Sequence, residues 1–140
     1  MTSGRAVVHG SAMRIVLRAH HMSFPVRDVA RSRLFYEGVL GLEEKPRPPA
    51  LVAMFPGAWY QAGACEVHLL QHPETMDVGP PPPTLTPMAR HAAFAIADYA
   101  ETLAALKAHG LEVFESSPDV GQMWVRDPDG HIIELIVERP

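Results

Sequence analysis

Four residues of this 140-residue chain have the types to hold a metal ion together: His21, His68, His91 and Glu134. Three imidazoles and a carboxylate make an N3O donor set of borderline hardness, suited to one divalent Zn, Ni, Co, Fe or Mn ion. No two of them stand one helical turn apart, so their meaning depends on the elements that carry them. Glu134 lies in the apolar run His131-Ile132-Ile133-Glu134-Leu135-Ile136-Val137. An ionised carboxylate there is costly unless a cation or hydrogen-bond donors meet it. The competing reading is an edge strand with Glu134 on its solvent face.

The elements repeat. His21 precedes Asp28 by seven positions and His91 precedes Asp98 by seven. Each half runs strand, Asp N-cap, helix and Gly stop, with Gly41 and Gly110 as the stops. Each half then closes with a hairpin, whose last strand holds Val67-His68-Leu69-Leu70 in one case and Ile133-Glu134-Leu135-Ile136 in the other. His68 therefore answers Glu134, and His21 answers His91. The expected fold is α+β: two βαβββ modules, each too small to bury its own sheet face, paired about a pseudo-twofold axis into a curved mixed sheet that encloses a metal site. A site on that axis meets each matching position twice.

Finer structure follows from local pattern. Met22, Phe24 and Val26 alternate as the core face of the first strand, with His21, Ser23 and Pro25 opposite and His20 on the core side. Val29 to Leu40 reads as a helix with Leu34, Phe35, Val39 and Leu40 as contacts. A loop is expected over 44–49 and strands over Leu51 to Phe55, Ala58 to Gln61 and Cys65 to Gln71. Tyr99 to His109 reads as the second helix, and Asp127-Pro128-Asp129-Gly130 as the turn into the last strand. His9, His72, His109 and His131 fall in a leader, a linker, a helix end and a turn exit, where solvation is expected.

Residues 1–12 are weakly patterned and are expected to be a disordered leader before a domain spanning 13–140 whose core starts near Met13. Module one covers about 15–72 and module two 89–138. The linker over 73–88 contains Gly79-Pro80-Pro81-Pro82-Pro83, which suits extended polyproline II. The length fits one compact domain, with 47% hydrophobic and 20% charged residues. A net charge of −4 with mixed signs gives no basic stripe, so nucleic acid and anionic membrane are set aside as partners. The single Cys65 cannot form an internal disulfide. With no spanning or signal-like apolar run, a cytoplasmic location is expected.

The segments His21-Met22-Ser23-Phe24-Pro25-Val26-Arg27-Asp28, Phe35 to Leu42, Arg90-His91-Ala92-Ala93-Phe94 and Asp127 to Leu135 resemble the vicinal oxygen chelate superfamily, which includes glyoxalase I, methylmalonyl-CoA epimerase, fosfomycin-modifying thiol transferases and extradiol dioxygenases. The resemblance runs from about His20 to Val137. It implies helices on the outer face, a divalent metal on His21, His91 and Glu134, a small-molecule substrate (a thiol adduct among the options) and a homodimer sharing its sites between chains. Glyoxalase I has a second glutamate at the place of His68, so His68 departs from the two-carboxylate pattern. Trp59 and Trp124 occupy matching places in the hairpins and either line the pocket or serve as core. Gln122 and Ser23 are further substrate-binding candidates. Gln122 and Trp124 replace the serine and tyrosine that help hold the phosphonate in fosfomycin-modifying members, which argues against that substrate.

The leading expectation is a metal-dependent lyase or isomerase of the glyoxalase type acting on a small oxygen-chelating substrate, with Glu134 as both ligand and catalytic base. An Fe(II) ring-cleaving dioxygenase, a thiol transferase and a metal-free drug-binding protein of the bleomycin-resistance type are the alternatives.

Overall fold

The computed structural model describes Gly4, residues 7–9 and residues 12–139. Most of the expected leader, residues 1–3, 5, 6, 10 and 11, lies outside the described residues, as does the His9 side chain. Strands β1 (Val7–His9) and β2 (Ala12–Arg14) pair antiparallel ahead of the two modules. Met13, expected to open the core, is instead exposed, as are Ile15, Val16 and Leu17.

Module one contains β3 (His21–Val26), α1 (Val29–Tyr36), β4 (Glu43–Lys45), α2 (Pro49–Met54), β5 (Gly57–Ala62) and β6 (Cys65–Gln71). Its sheet order is β3-β6-β5-β4, with β3 parallel to β6 and the other pairs antiparallel. Module two repeats the order as β7-β10-β9-β8, built from β7 (Ala92–Ile96), α3 (Tyr99–Ala108), β8 (Phe114–Glu115), β9 (Gln122–Arg126) and β10 (Ile132–Val137). The parallel pair is again first strand with last, β7 with β10. The repeat is thus one of register as well as of sequence. The sheets remain two open four-stranded units within the chain and do not close around an axis, as the paired-module expectation had it.

The local causes are those of the pattern. Asp28 caps α1 by accepting from Ala30 and Arg31 N–H, and Asp98 caps α3 by accepting from Glu101 N–H at 2.8 Å. The chain leaves α1 and α3 through Gly41 and Gly110, both at positive φ, where a side chain would be strained. One apolar cluster joins Val26, Phe35, Tyr36, Tyr60 and Leu69 of module one to Leu106, Met123, Ile133 and Leu135 of module two. Helix α1 brings Val29, Phe35 and Tyr36 to it, and α3 brings Leu106.

Several local expectations are corrected. Residues 51–55 belong to helix α2 and the adjoining Phe55, not to a strand, because Pro48-Pro49 presets the φ of a first helical turn. Strand β4 occupies part of the expected 44–49 loop. Helix α1 ends four residues early, and Leu34 points to solvent while Ser32 takes the buried face. His20 is exposed rather than on the core side, since it precedes the first paired residue of β3.

The modules are joined by the turn before β10. Tyr36 donates its hydroxyl to Asp127 Oδ2 at 2.7 Å, and Asp127 Oδ1 accepts the backbone N–H groups of Asp129 and His131. Burial raises both the Tyr36 hydroxyl and the Asp127 carboxyl above their ordinary values. Arg27 pairs with Asp129, and His131 Nε2 donates to Pro25 O at 2.8 Å while its ring lies against Phe24. His131, expected in solvent, is a half-buried part of this joint. The linker is strapped to the same turn: a Cβ on Gly130 would meet Pro81 at 2.8 Å, so only glycine fits there. No helix among the described residues is long and apolar enough to cross a membrane.

Candidate functional site

Strand alternation puts one side chain in two on the sheet face away from the helices. In module one this face carries His21 and Ser23 on β3, Glu66 and His68 on β6, and Trp59 on β5. His68 stands directly opposite Ser23 on one side and Trp59 on the other. In module two Glu134 holds the same place, between Ala93 and Trp124. Both positions are buried, His68 at 7% and Glu134 at 6% exposure, which rules out the solvent-face reading of Glu134.

The Glu134 carboxylate is met by three groups. Trp124 donates its indole N–H to Oε1 at 3.0 Å, Gln122 donates to Oε2 at 3.3 Å, and His91 Nε2 lies 2.9 Å from Oε1. Trp124 is therefore buried, as the core reading had it, with its indole N–H turned to Glu134. His91 Nδ1 lies 2.7 Å from Ala89 O, and a carbonyl only accepts, so Nδ1 carries a proton. In the neutral ring Nε2 then holds a lone pair facing a carboxylate oxygen. A cation, proton or metal, is needed between them. Their 2.9 Å separation is close to the ~3 Å expected of neighbouring ligands with metal bonds of about 2.1 Å.

In module one His68 is the middle layer of a three-ring stack. Trp59 lies parallel to it at 4.1 Å and His21 at 4.0 Å. Imidazole lone pairs lie in the ring plane, so parallel stacked rings direct theirs side by side, and His21 must turn to share an ion with His68. His21 Nδ1 contacts His20 Nδ1 at 2.8 Å.

Two residues of this face were not singled out from sequence. Glu66, opposite His21, accepts from His68 Nε2 at 3.0 Å and from Lys45 Nζ at 2.9 Å. These donors, His68 first, hold its carboxyl down at about 2. Burial in turn lowers His68 below the ordinary imidazole value, against the pull of Glu66, which favours the neutral ring. With Nε2–H given to Glu66, the nitrogen left for other chemistry is Nδ1. The alternation of Glu66 with His68 was visible in sequence, but its partner Lys45 sits on β4, which read as loop.

The chain thus assembles two pairs, His21 with His68 and His91 with Glu134, each on its own sheet. Among the described residues no three His, Cys, Asp or Glu side chains are gathered as a metal cluster within the one chain. Ser23 is exposed beside His68, and Gln122 is half-buried on Glu134.

Paired βαβββ modules with this facing set define the fold class, and the comparisons agree. The model of the Glyoxalase/Bleomycin resistance protein/Dioxygenase superfamily matches residues 18–135, and the chain belongs to that superfamily. It is 31% identical over 121 residues to Glyoxylase I 4 of Arabidopsis thaliana, covering 83% of this chain and 68% of that protein. A solved glyoxalase family protein from Bacillus anthracis is 27% identical with a TM-score of 0.72, covering 90% and 98% of the two chains. A glyoxalase/dioxygenase from Nostoc punctiforme shares the fold at a TM-score of 0.73 and 24% identity, covering 99% and 100%.

Proposed function

We propose that this protein is a divalent-metal-dependent lyase or isomerase of the glyoxalase type, acting on a small oxygen-chelating molecule. The ion is held by His21 and His68 of one chain and His91 and Glu134 of a second, in a homodimer. The observation that carries the reading is the His91–Glu134 pair, in which the Nε2 of a backbone-fixed imidazole lies 2.9 Å from an oxygen of a buried carboxylate. Members of the superfamily commonly use a divalent metal and often form dimers. When bound, the ion supplies Lewis acidity toward substrate oxygens.

The chain's own residues do the rest. Trp124 and His91 both engage Oε1 of Glu134, whereas Oε2 has only the longer Gln122 bond, so Oε2 is the oxygen that takes and returns a substrate proton. Trp59 and Trp124 flank His68 and Glu134 and keep water from their faces.

Elemental analysis after reloading tests this directly. One ion per chain is expected in wild type, with His91→Ala and Glu134→Ala losing it. Wild type without stoichiometric metal, or variants that bind as well as wild type, would sink the assignment. Screening the loaded protein against α-oxoaldehyde hemithioacetals, catechols and epoxides then separates isomerase, ring-cleaving and transferase chemistry. Because one glutamate is replaced by His68, turnover of the methylglyoxal–glutathione adduct is expected to be weak and to rise in His68→Glu.

A further inference from the structure

A cavity of about 360 Å³ opens at the seam between the modules, where Ser23 and Phe24 of β3 face Arg90, His91 and Ile132 beneath the linker. That volume suits a small molecule. No aspartate or glutamate lines it. Its fixed charge comes from Arg90, and among the described residues no carboxylate pairs with this guanidinium within 4.0 Å. Arg90 Nη2 donates to Pro80 O at 3.2 Å, which anchors one edge of the fork and leaves its other N–H groups for a ligand.

The nearby acids do not neutralise it. Asp77 and Asp129 lie in an adjoining cleft of about 320 Å³, which Arg90 also borders. Asp129 is paired with Arg27, and Asp77 Oδ1 accepts from Gly79 N–H at 2.8 Å. Elsewhere the walls of the first cavity are mainly apolar, from Met22, Phe24, Val78, Pro82 and Ile132. One unpaired guanidinium above an apolar floor matches a singly charged organic anion better than an inorganic polyanion.

We propose that this cavity binds a small organic carboxylate, with its oxygens on Arg90 and the Ser23 hydroxyl and its apolar body against Phe24, Val78 and Pro82. The acid binds beside His91, and the statement that it is a substrate rests on the metal reading above. The binding itself does not.

Calorimetric and NMR titrations with benzoate and hexanoate, set against benzyl alcohol and hexanol, test the proposal on metal-free and metal-loaded protein. The acids are expected to bind at least roughly tenfold more tightly than the alcohols, as one charge-assisted contact implies. Arg90→Gln should abolish that preference, Arg90→Lys should keep part of it, and Lys107→Gln, on α3 and away from both cavities, should leave it unchanged. Alcohols binding as well as acids, or an acid preference that survives in Arg90→Gln, overturns the proposal. Metal content of the same samples keeps the two ideas apart: acid binding without metal preserves this site and defeats the metal reading, while metal binding without acid preference does the reverse.

Discussion

At the residue scale, His68 works through a neighbour two positions away on the same strand face. Glu66 fixes the His68 ring through Nε2 and is itself fixed by Lys45, so it acts as a positioning residue for whatever His68 does. Carboxylates that orient a ligating imidazole are worth roughly 10–100-fold in metal affinity. Glu66→Gln should therefore weaken metal binding by about that factor in a chelator competition, and Lys45→Met by less, with the far-ultraviolet circular dichroism of both unchanged. Affinity unaltered in Glu66→Gln would assign Glu66 to packing alone. His21, His68, His91 and Glu134 drew attention in the sequence because the repeat gave each a counterpart. Glu66 did not, because its counterpart in module two is Ile132, a residue with no chemistry to draw attention.

At the element scale, capped helices and alternating strands were readable wherever one face is buried, since burial enforces the period. Leu34 misled because helix α1 buries the small Ser32 against the 127–131 turn, a contact between distant parts of the chain that local apolar pattern does not carry. The turn is where mutation should reveal the joint. Tyr36→Phe leaves one buried oxygen of Asp127 without its donor and should cost about 1–3 kcal/mol in denaturant unfolding. The pH dependence has a definite sign. Burial raises the folded-state value of Asp127 above the ordinary 3.8, so its contribution to stability is complete below 3.8 and is lost as pH rises through the raised value. Asp127→Asn keeps an acceptor for both backbone N–H groups but cannot titrate. Thermal unfolding from about pH 7 to about pH 4 should therefore show wild type gaining on Asp127→Asn as the pH falls. A constant difference across that range would mean that Asp127 is not the group responsible.

At the scale of the whole molecule, two open sheets in one chain carry the two halves of the proposed donor set, and a second copy is the simplest way to bring unlike halves face to face. Consecutive Ile15, Val16 and Leu17, at 71–85% exposure, give apolar surface that such an association would cover. Sequence showed the pairing of positions but not whether the pairs meet within a chain, since a pseudo-twofold inside one chain and a true twofold between two place the same residues together. Subunit mixing distinguishes them. His21→Ala damages only the first half-site and Glu134→Ala only the second. If sites are shared, refolding the two variants together at equal amounts makes half of the dimers mixed, and each mixed dimer has one site with both halves intact and one with both damaged. Metal binding and activity should then return to about a quarter of wild type, although neither variant alone shows either. If each site lies within one chain, mixing restores nothing, because every chain keeps its own defect.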